Sequence, residues 1–209
     1  MKRPLLISDC DEVLLHMVSH FGSWLDEAHA IDFRPDRGEF MDALQRRDSG
    51  ETVAQEDVWP LLDAFFATEM HRQTLVPHAR EALGRIGGVA DIVILTNLGD
   101  HCHEQRVAQL DAVGIRHRVL CNQGGKGTPV QRLIAEYQPS VAVFVDDLPG
   151  HHASVAKSAP DVWRLHMIAE PTIAAQVPPA PHAHARIDDW AVAVDWVMER
   201  FGQGENFSQ

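Results

Sequence analysis

Four short segments of this 209-residue chain carry groups able to do polar chemistry. Asp9-Cys10-Asp11 sets two carboxylates two residues apart. Thr96-Asn97 and Asp146-Asp147 each follow an apolar run. Lys126 stands among three glycines in Gly124-Gly125-Lys126-Gly127. Acidic and hydroxyl groups gathered with one lysine can move protons and handle a small anion. The anion is tolerated only where positive groups or a metal ion reverse the local field.

Those segments need elements to position them. Apolar runs at 5–8, 92–95, 118–121, 141–145 and 162–165 are short, and three are rich in Val and Ile, as buried parallel strands tend to be. From residue 92 onward they alternate with helical patterns. Residues 101–113 carry a stripe at Val107, Leu110 and Val113; 129–137 and 152–158 follow. This rhythm predicts an α/β fold, a doubly wound parallel sheet. Ligands bind at the carboxyl ends of strands in such sheets, and the polar segments above sit at those ends.

The first interval breaks the rhythm. Roughly eighty residues separate Asp11 from Asp91, whereas a crossover needs only one helix. Helical patterns over 18–30, 38–47 and 55–70 predict a helical insertion, residues 16–73, after the first strand. The core then comprises 1–15 and 74–202. It includes a helix opened by Pro77, with Ala82, Leu83 and Ile86 on one face. Residues 171–184 read as a loop, 188–201 as a last helix with Trp190, Val194 and Val197 inward, and 203–209 as a frayed tail.

The segments LLISDCDEV, IVILTN, GGKG and VAVFVDD, in that order, resemble the haloacid dehalogenase-like hydrolase superfamily. Its signature is a strand ending in D-x-D, a second ending in Thr or Ser, a Lys before a helix, and a strand ending in an acidic pair. The likeness spans the whole core and puts the insertion where that family has its first type of cap. It implies a Rossmann-like core and a phosphatase acting on a small phosphorylated metabolite. Asp9 is then the nucleophile, forming an aspartyl-phosphate, and Asp11 the general acid and base. Thr96 and Asn97 bind phosphate oxygens, and Lys126 neutralises charge on Asp9 and the transferring group. Mg2+ is the implied cofactor, held by Asp9, the Asp11 carbonyl and one of Asp146/Asp147, with Asp147 direct and Asp146 behind it. The family's alternatives are a 2-haloacid dehalogenase, which needs neither Asp11 nor a metal, a phosphoryl transferase or mutase, and a non-catalytic binding module. Where the family commonly has Gly after the second Asp, this chain has Glu12, a fourth carboxylate able to bind a residue of the insertion.

Composition narrows the partners. With 18 Lys+Arg against 30 Asp+Glu, the net charge is −12, which repels nucleic-acid backbones and anionic membranes alike. No run reaches the length of a membrane span. Three cysteines, an odd and sparse count with no C-x-x-C pair, and no secretory signal suit the cytoplasm. Cys10 is expected to be packed and unreactive. His101-x-His103 and His182-x-His184 lack third and fourth metal ligands. His151 and His152 are expected at an exposed helix start. In the insertion, Trp24, Phe33 and Trp59 are expected in its core, and Arg34, Arg37, Arg46 and Arg47 as partners of nearby acids. Oligomeric state is left open.

Overall fold

The computed structural model describes residues 2–34 and 40–205. In chain order its elements are β1 (Leu5–Ser8), β2 (Leu15–His16), α1 (Val18–His29), β3 (Ile31–Phe33), β4 (Leu44–Arg46), α2 (Gln55–Thr68) and β5 (Thr74–Leu75). There follow α3 (Ala79–Gly87), β6 (Asp91–Thr96), α4 (His103–Ala112), β7 (Arg118–Cys121), α5 (Gly127–Tyr137) and β8 (Ala142–Asp146). Last come α6 (Pro149–Ser158), β9 (Trp163–His166), α7 (Pro171–Ala174), β10 (Ala185–Arg186) and α8 (Trp190–Glu205).

Six strands form one sheet in the order β10-β9-β8-β1-β6-β7, all pairs parallel. Successive residues of a strand face opposite sides, and both sides are covered. Leu6, Ile92, Ile94, Val143 and Val145 pack beneath α3 and α8. Leu5, Ile7, Val93, Leu95 and Phe144 pack beneath α5 and α6. That two-sided burial is why these runs are continuously apolar rather than alternating. β1 lies between β6 and β8, so its carboxyl end opens into the crevice where the strand order reverses, the usual ligand position of this architecture.

The chain leaves the core at β2 and returns at β5, and these two strands pair antiparallel, His16 opposite Thr74. Between them α1, α2 and a β3–β4 hairpin enclose a separate apolar cluster of Phe21, Trp24, Leu25, Ile31, Leu44, Val58 and Phe65. Of the helix expected over 38–47, residues 38 and 39 lie outside the described residues, and 40–47 do not form it. Phe40–Asp42 makes one 3-10 turn, and β4 pairs with β3, Phe33 opposite Leu44. A β-branched and aromatic partner strand close in sequence overrides the weak helical pattern there. Residues 171–184 were expected as loop but start with the short α7, which opens on Pro171 and is capped by the Glu170 side chain. Trp190 opens α8, and its indole Nε1 donates to the Val13 carbonyl at 2.8 Å, tying the last helix to the segment after β1. Of the expected tail 203–209, residues 203–205 continue α8 rather than fray, and 206–209 lie outside the described residues. No helix among the described residues is long and apolar enough to cross a membrane.

Candidate active site

The end of β1 is held on line by β8, because the Asp9 N–H donates to the Val145 carbonyl at 2.8 Å. The chain then turns tightly, with the Cys10 carbonyl accepting from the N–H groups of Val13, Leu14 and Leu15. The Cys10 side chain is buried, so it is packed as expected, and burial pushes its thiol up to about 12.

Glu12 takes the left-handed conformation at φ 57, which explains the glycine resemblance at this position and the strain a glutamate accepts there. Its buried carboxylate offsets that strain. Oε1 accepts from the N–H groups of Met17 and Val18, both at 2.7 Å, and Oε2 from Glu170 N–H at 3.1 Å. The carboxylate thus caps the start of the insertion and ties it to the loop after β9. Glu12→Gly should relieve about 1–2 kcal/mol of left-handed strain and lose three hydrogen bonds to a charged acceptor, each about 1.5–3 kcal/mol. The expected net loss is several kcal/mol, read as a lower denaturant midpoint. A glycine variant as stable as the parent would show that these bonds do no more than offset the left-handed strain.

Lys126 is placed by the glycines around it. Gly124 adopts φ 81, and a Cβ on Gly127 would sit 2.3 Å from the Ser154 carbonyl. Only glycine lets α5 approach α6 that closely. The Lys126 ammonium, wholly buried, lies 2.8 Å from Asp9 Oδ1 and 2.7 Å from Asp146 Oδ2. Burial works against its charge, but the two carboxylates hold it above the usual lysine range. Burial pushes the Asp9 carboxyl up to about 6, opposed by Lys126 and reinforced by the charges of Asp146 and Asp11. Asp146 is also buried, yet Lys126 and His151 hold it well below the usual carboxylate range.

All four polar segments meet here. Thr96 Oγ1 donates to Asp11 Oδ2 at 3.3 Å. The Asn97 side chain bridges the loops after β6 and β7, donating to Gly124 O at 2.9 Å and accepting from Asn122 at 2.8 Å. Asp146 is fully engaged, accepting from Lys126, from Leu148 N–H and from His151 Nδ1, the last two at 2.9 Å. Asp147 differs. Its carboxylate accepts no hydrogen bond from the described residues, and burial with the charges of Asp146 and Asp9 pushes it well above the usual range. Asp9, Asp146 and His151 offer ligand atoms within 4.8 Å of one another, but the Lys126 ammonium already serves the two carboxylates of that trio.

Several expectations need correction. His151 and His152 are buried, not exposed. His151 orients Asp146, while His152 Nε2 meets the Asp146 carbonyl at 3.0 Å and burial lowers it to about 4. On α4, Val107 is 39% exposed; the inward line runs Cys102, Arg106, Leu110 instead. That spacing of four follows the helical repeat, so a wholly buried Arg106 occupies the place assigned to Val107. Its guanidinium holds both oxygens of Asp11, at 2.9 and 3.1 Å. Gln73 Nε2 donates to Asp11 Oδ1 at 2.6 Å. Neither residue stood out in the sequence. In the insertion Trp59 is 65% exposed rather than in the core, whereas Trp24 is buried. Arg46 pairs with Asp57, and Arg47 with Asp26 and Asp32. Arg34 lines an open cavity of about 560 Å³ between α1 and Glu170. Arg37 lies outside the described residues.

No protein-family model matches the chain, and no curated protein matches it. Solved structures do. A candidate HAD hydrolase of Bacillus subtilis, described as bound to magnesium and showing interdomain movement, superposes with a TM-score of 0.65 at 11% identity, covering 94% of this chain and 99% of its own. A candidate phosphoglycolate phosphatase of Lactobacillus plantarum gives 0.64 at 13%, covering 93% and 99%. A candidate β-phosphoglucomutase of Thermotoga maritima gives 0.61 at 14%, covering 94% and 99%. From the parallel sheet to the insertion after its first strand, the chain has the fold of the haloacid dehalogenase-like hydrolases.

Proposed function

We propose that the chain is a Mg2+-dependent phosphatase of this superfamily, hydrolysing a small phosphomonoester through an aspartyl-phosphate on Asp9. One observation carries the reading: a buried ammonium, Lys126, bridges Asp9 and Asp146 beside Asp11 and Thr96. That arrangement keeps one carboxylate next to a fixed positive charge, as attack on an anionic phosphorus requires. The phosphatase and mutase names among the structural neighbours agree with it.

The donor set suits a hard dication. Asp9 and Asp147 supply carboxylate oxygens and the Asp11 carbonyl a third, and burial with the charges of Asp146 and Asp9 holds Asp147 well above the usual range although Lys126 opposes them. Asp147 is the direct ligand and Asp146 the residue behind it, since Asp146 is spent on Lys126 and His151. Bound there, Mg2+ would offset charge on the substrate's phosphoryl oxygens. The chain's own groups do the rest. Asp9 attacks phosphorus, Thr96 and the Asn97 N–H bind phosphoryl oxygens, and Lys126 balances charge on Asp9. Asp11 gives its proton to the leaving oxygen, then takes one from the attacking water. The insertion acts as a cap that keeps bulk water and macromolecules from the site. In the dehalogenase reading Asp11 has no task, although three side chains hold it in place.

Excess chelator should lower turnover of an aryl phosphate about 100-fold or more, because the lost charge stabilisation amounts to several kcal/mol, and Mg2+ should restore it. Beryllium fluoride should inhibit by occupying the phosphoryl position on Asp9. Full turnover in chelator would overturn the metal assignment; no hydrolysis of any phosphomonoester in a broad panel would overturn the phosphatase.

A further inference from the structure

Three side chains from three different elements converge on the Asp11 carboxylate. Thr96 ends β6. Arg106 comes from α4 in the core and is wholly buried. Gln73 lies on the return path of the insertion, one residue before β5. A buried guanidinium is costly to place without a counter-charge, and Asp11 is the carboxylate that Arg106 touches. Its other contacts fix its own place: Nη1 reaches Cys10 Sγ at 3.0 Å, and its Cζ stands 5.7 Å from the Phe66 ring centroid. One nitrogen, Nη2, reaches both Asp11 oxygens, so Arg106 anchors the carboxylate from one point and balances its charge, while Nη1 on Cys10 keeps that nitrogen in place.

Gln73 adds a different control. It is buried, and its Oε1 has no partner among the described residues. Its amide is therefore held by the 2.6 Å bond from Nε2 to Asp11. The insertion that carries Gln73 docks on α4 and the turn before it. Gln105 Nε2 donates to Ala67 O at 3.4 Å, Gln109 donates to Met70 O, and His101 Nε2 lies 3.4 Å from Asp63 Oδ1. Met70 packs with Leu98 and Cys102. Lifting the insertion breaks this seat and withdraws Gln73 from Asp11, while Arg106 stays with the core.

We infer that Arg106 and Gln73 are positioning residues for Asp11: Arg106 fixes the carboxylate from the core, and Gln73 makes its final orientation depend on the insertion being docked. The inference rests on the phosphatase reading. In the first step Asp9 forms a bond to phosphorus, the bond from phosphorus to the leaving oxygen breaks, and the Asp11 proton moves to that oxygen. In the second step water oxygen bonds phosphorus, the Asp9–phosphorus bond breaks, and Asp11 takes the water's proton. Both transfers need the carboxylate in one place, so both slow when its guides are removed.

The test compares wild type, Gln73→Leu and Arg106→Lys in the full chain with Mg2+, on one alkyl and one aryl phosphate. A misplacement of about 1 Å costs about 100-fold. Gln73→Leu should therefore lower kcat on the alkyl phosphate by up to that factor with KM little changed, and lengthen the life of the phospho-enzyme. Arg106→Lys keeps the charge but loses the second nitrogen, on Cys10, that holds the first against Asp11, and should show the same split. Gln73→Glu, of the same length but unable to donate, should not rescue. A crystal structure of Gln73→Leu should show the Asp11 carboxylate turned from its present orientation. Wild-type kcat and phospho-enzyme lifetime in the folded variants, or an unmoved Asp11, would overturn the inference. A wild type that forms no phospho-enzyme and binds no beryllium fluoride overturns the phosphatase reading instead, so the two failures are distinct.

Discussion

Asp9→Asn is expected to abolish turnover of aryl and alkyl phosphates alike, by about 10⁶-fold, the scale on which loss of a covalent nucleophile falls. No aspartyl-phosphate can form on an amide, so a good leaving group gives no rescue. The fold should survive. Lys126 keeps Asp146 at 2.7 Å, and the substitution removes a buried charge held at a cost. The sign of that cost can be checked without metal. Burial raises the Asp9 carboxyl to about 6 in the folded chain, above its ordinary 3.8. Its stabilising proton is therefore fully in place below 3.8 and is lost as pH rises through about 6. Asparagine cannot ionise, so the metal-free variant should gain on wild type between pH 4 and 7. Denaturant melts at those two pH values make the measurement. Turnover within tenfold of wild type would remove Asp9 from the chemistry.

Asp11→Asn should cost about 10²–10⁴-fold in kcat on an alkyl phosphate, the usual worth of a general acid or base. Asparagine keeps the backbone carbonyl and nearly the same shape. An aryl leaving group needs little protonation, so its first step should suffer less. Its second step lacks a base, so phospho-enzyme should accumulate and be trappable by rapid acid quench. The stability outcome should be opposite to that for Asp9. Arg106 is wholly buried against Asp11, and breaking such a pair leaves an uncompensated charge worth about 3–5 kcal/mol. A variant with wild-type turnover on both substrates would show that Asp11 moves no proton. A variant of unchanged stability would show that Arg106 does not depend on it.

The strands were legible because a two-sided sheet demands continuous apolar runs. β1 and β7 match their apolar runs at both ends, and β6 and β8 differ by a residue. β10 was not legible: two residues, Ala185 and Arg186, carry no period, and only pairing with β9 makes them a strand. The β3–β4 hairpin was hidden for a related reason, since its pairing is a tertiary fact that local propensity does not encode. At the site, the residues at strand ends could be read because the polar groups interrupt apolar runs. Arg106 could not. It stands in the polar stretch His103-Glu104-Gln105-Arg106, where a charged residue normally faces solvent. The one available signal was its spacing, four residues after Cys102 and four before Leu110. Gln73 is isolated between the two units, and nothing in its neighbours marks it. His151 and His152 look like solvated residues at a helix start; they are buried because the Asp146 they serve lies beneath them.

The indole of Trp190 has a consequence for synthesis. It reaches back 177 residues to the Val13 carbonyl in the turn that follows Asp9 and Asp11. A ribosome adding about 5–20 residues per second takes roughly 10–35 s to cover that distance. Until then the turn lacks that donor. Its neighbour strand β8, which aligns Asp9, also emerges late, well after β1 and β6. A nascent chain can thus bury much of the insertion and the β1–β6 pair while its nucleophile is still unaligned. Competence arrives nearly last, with the closing helix.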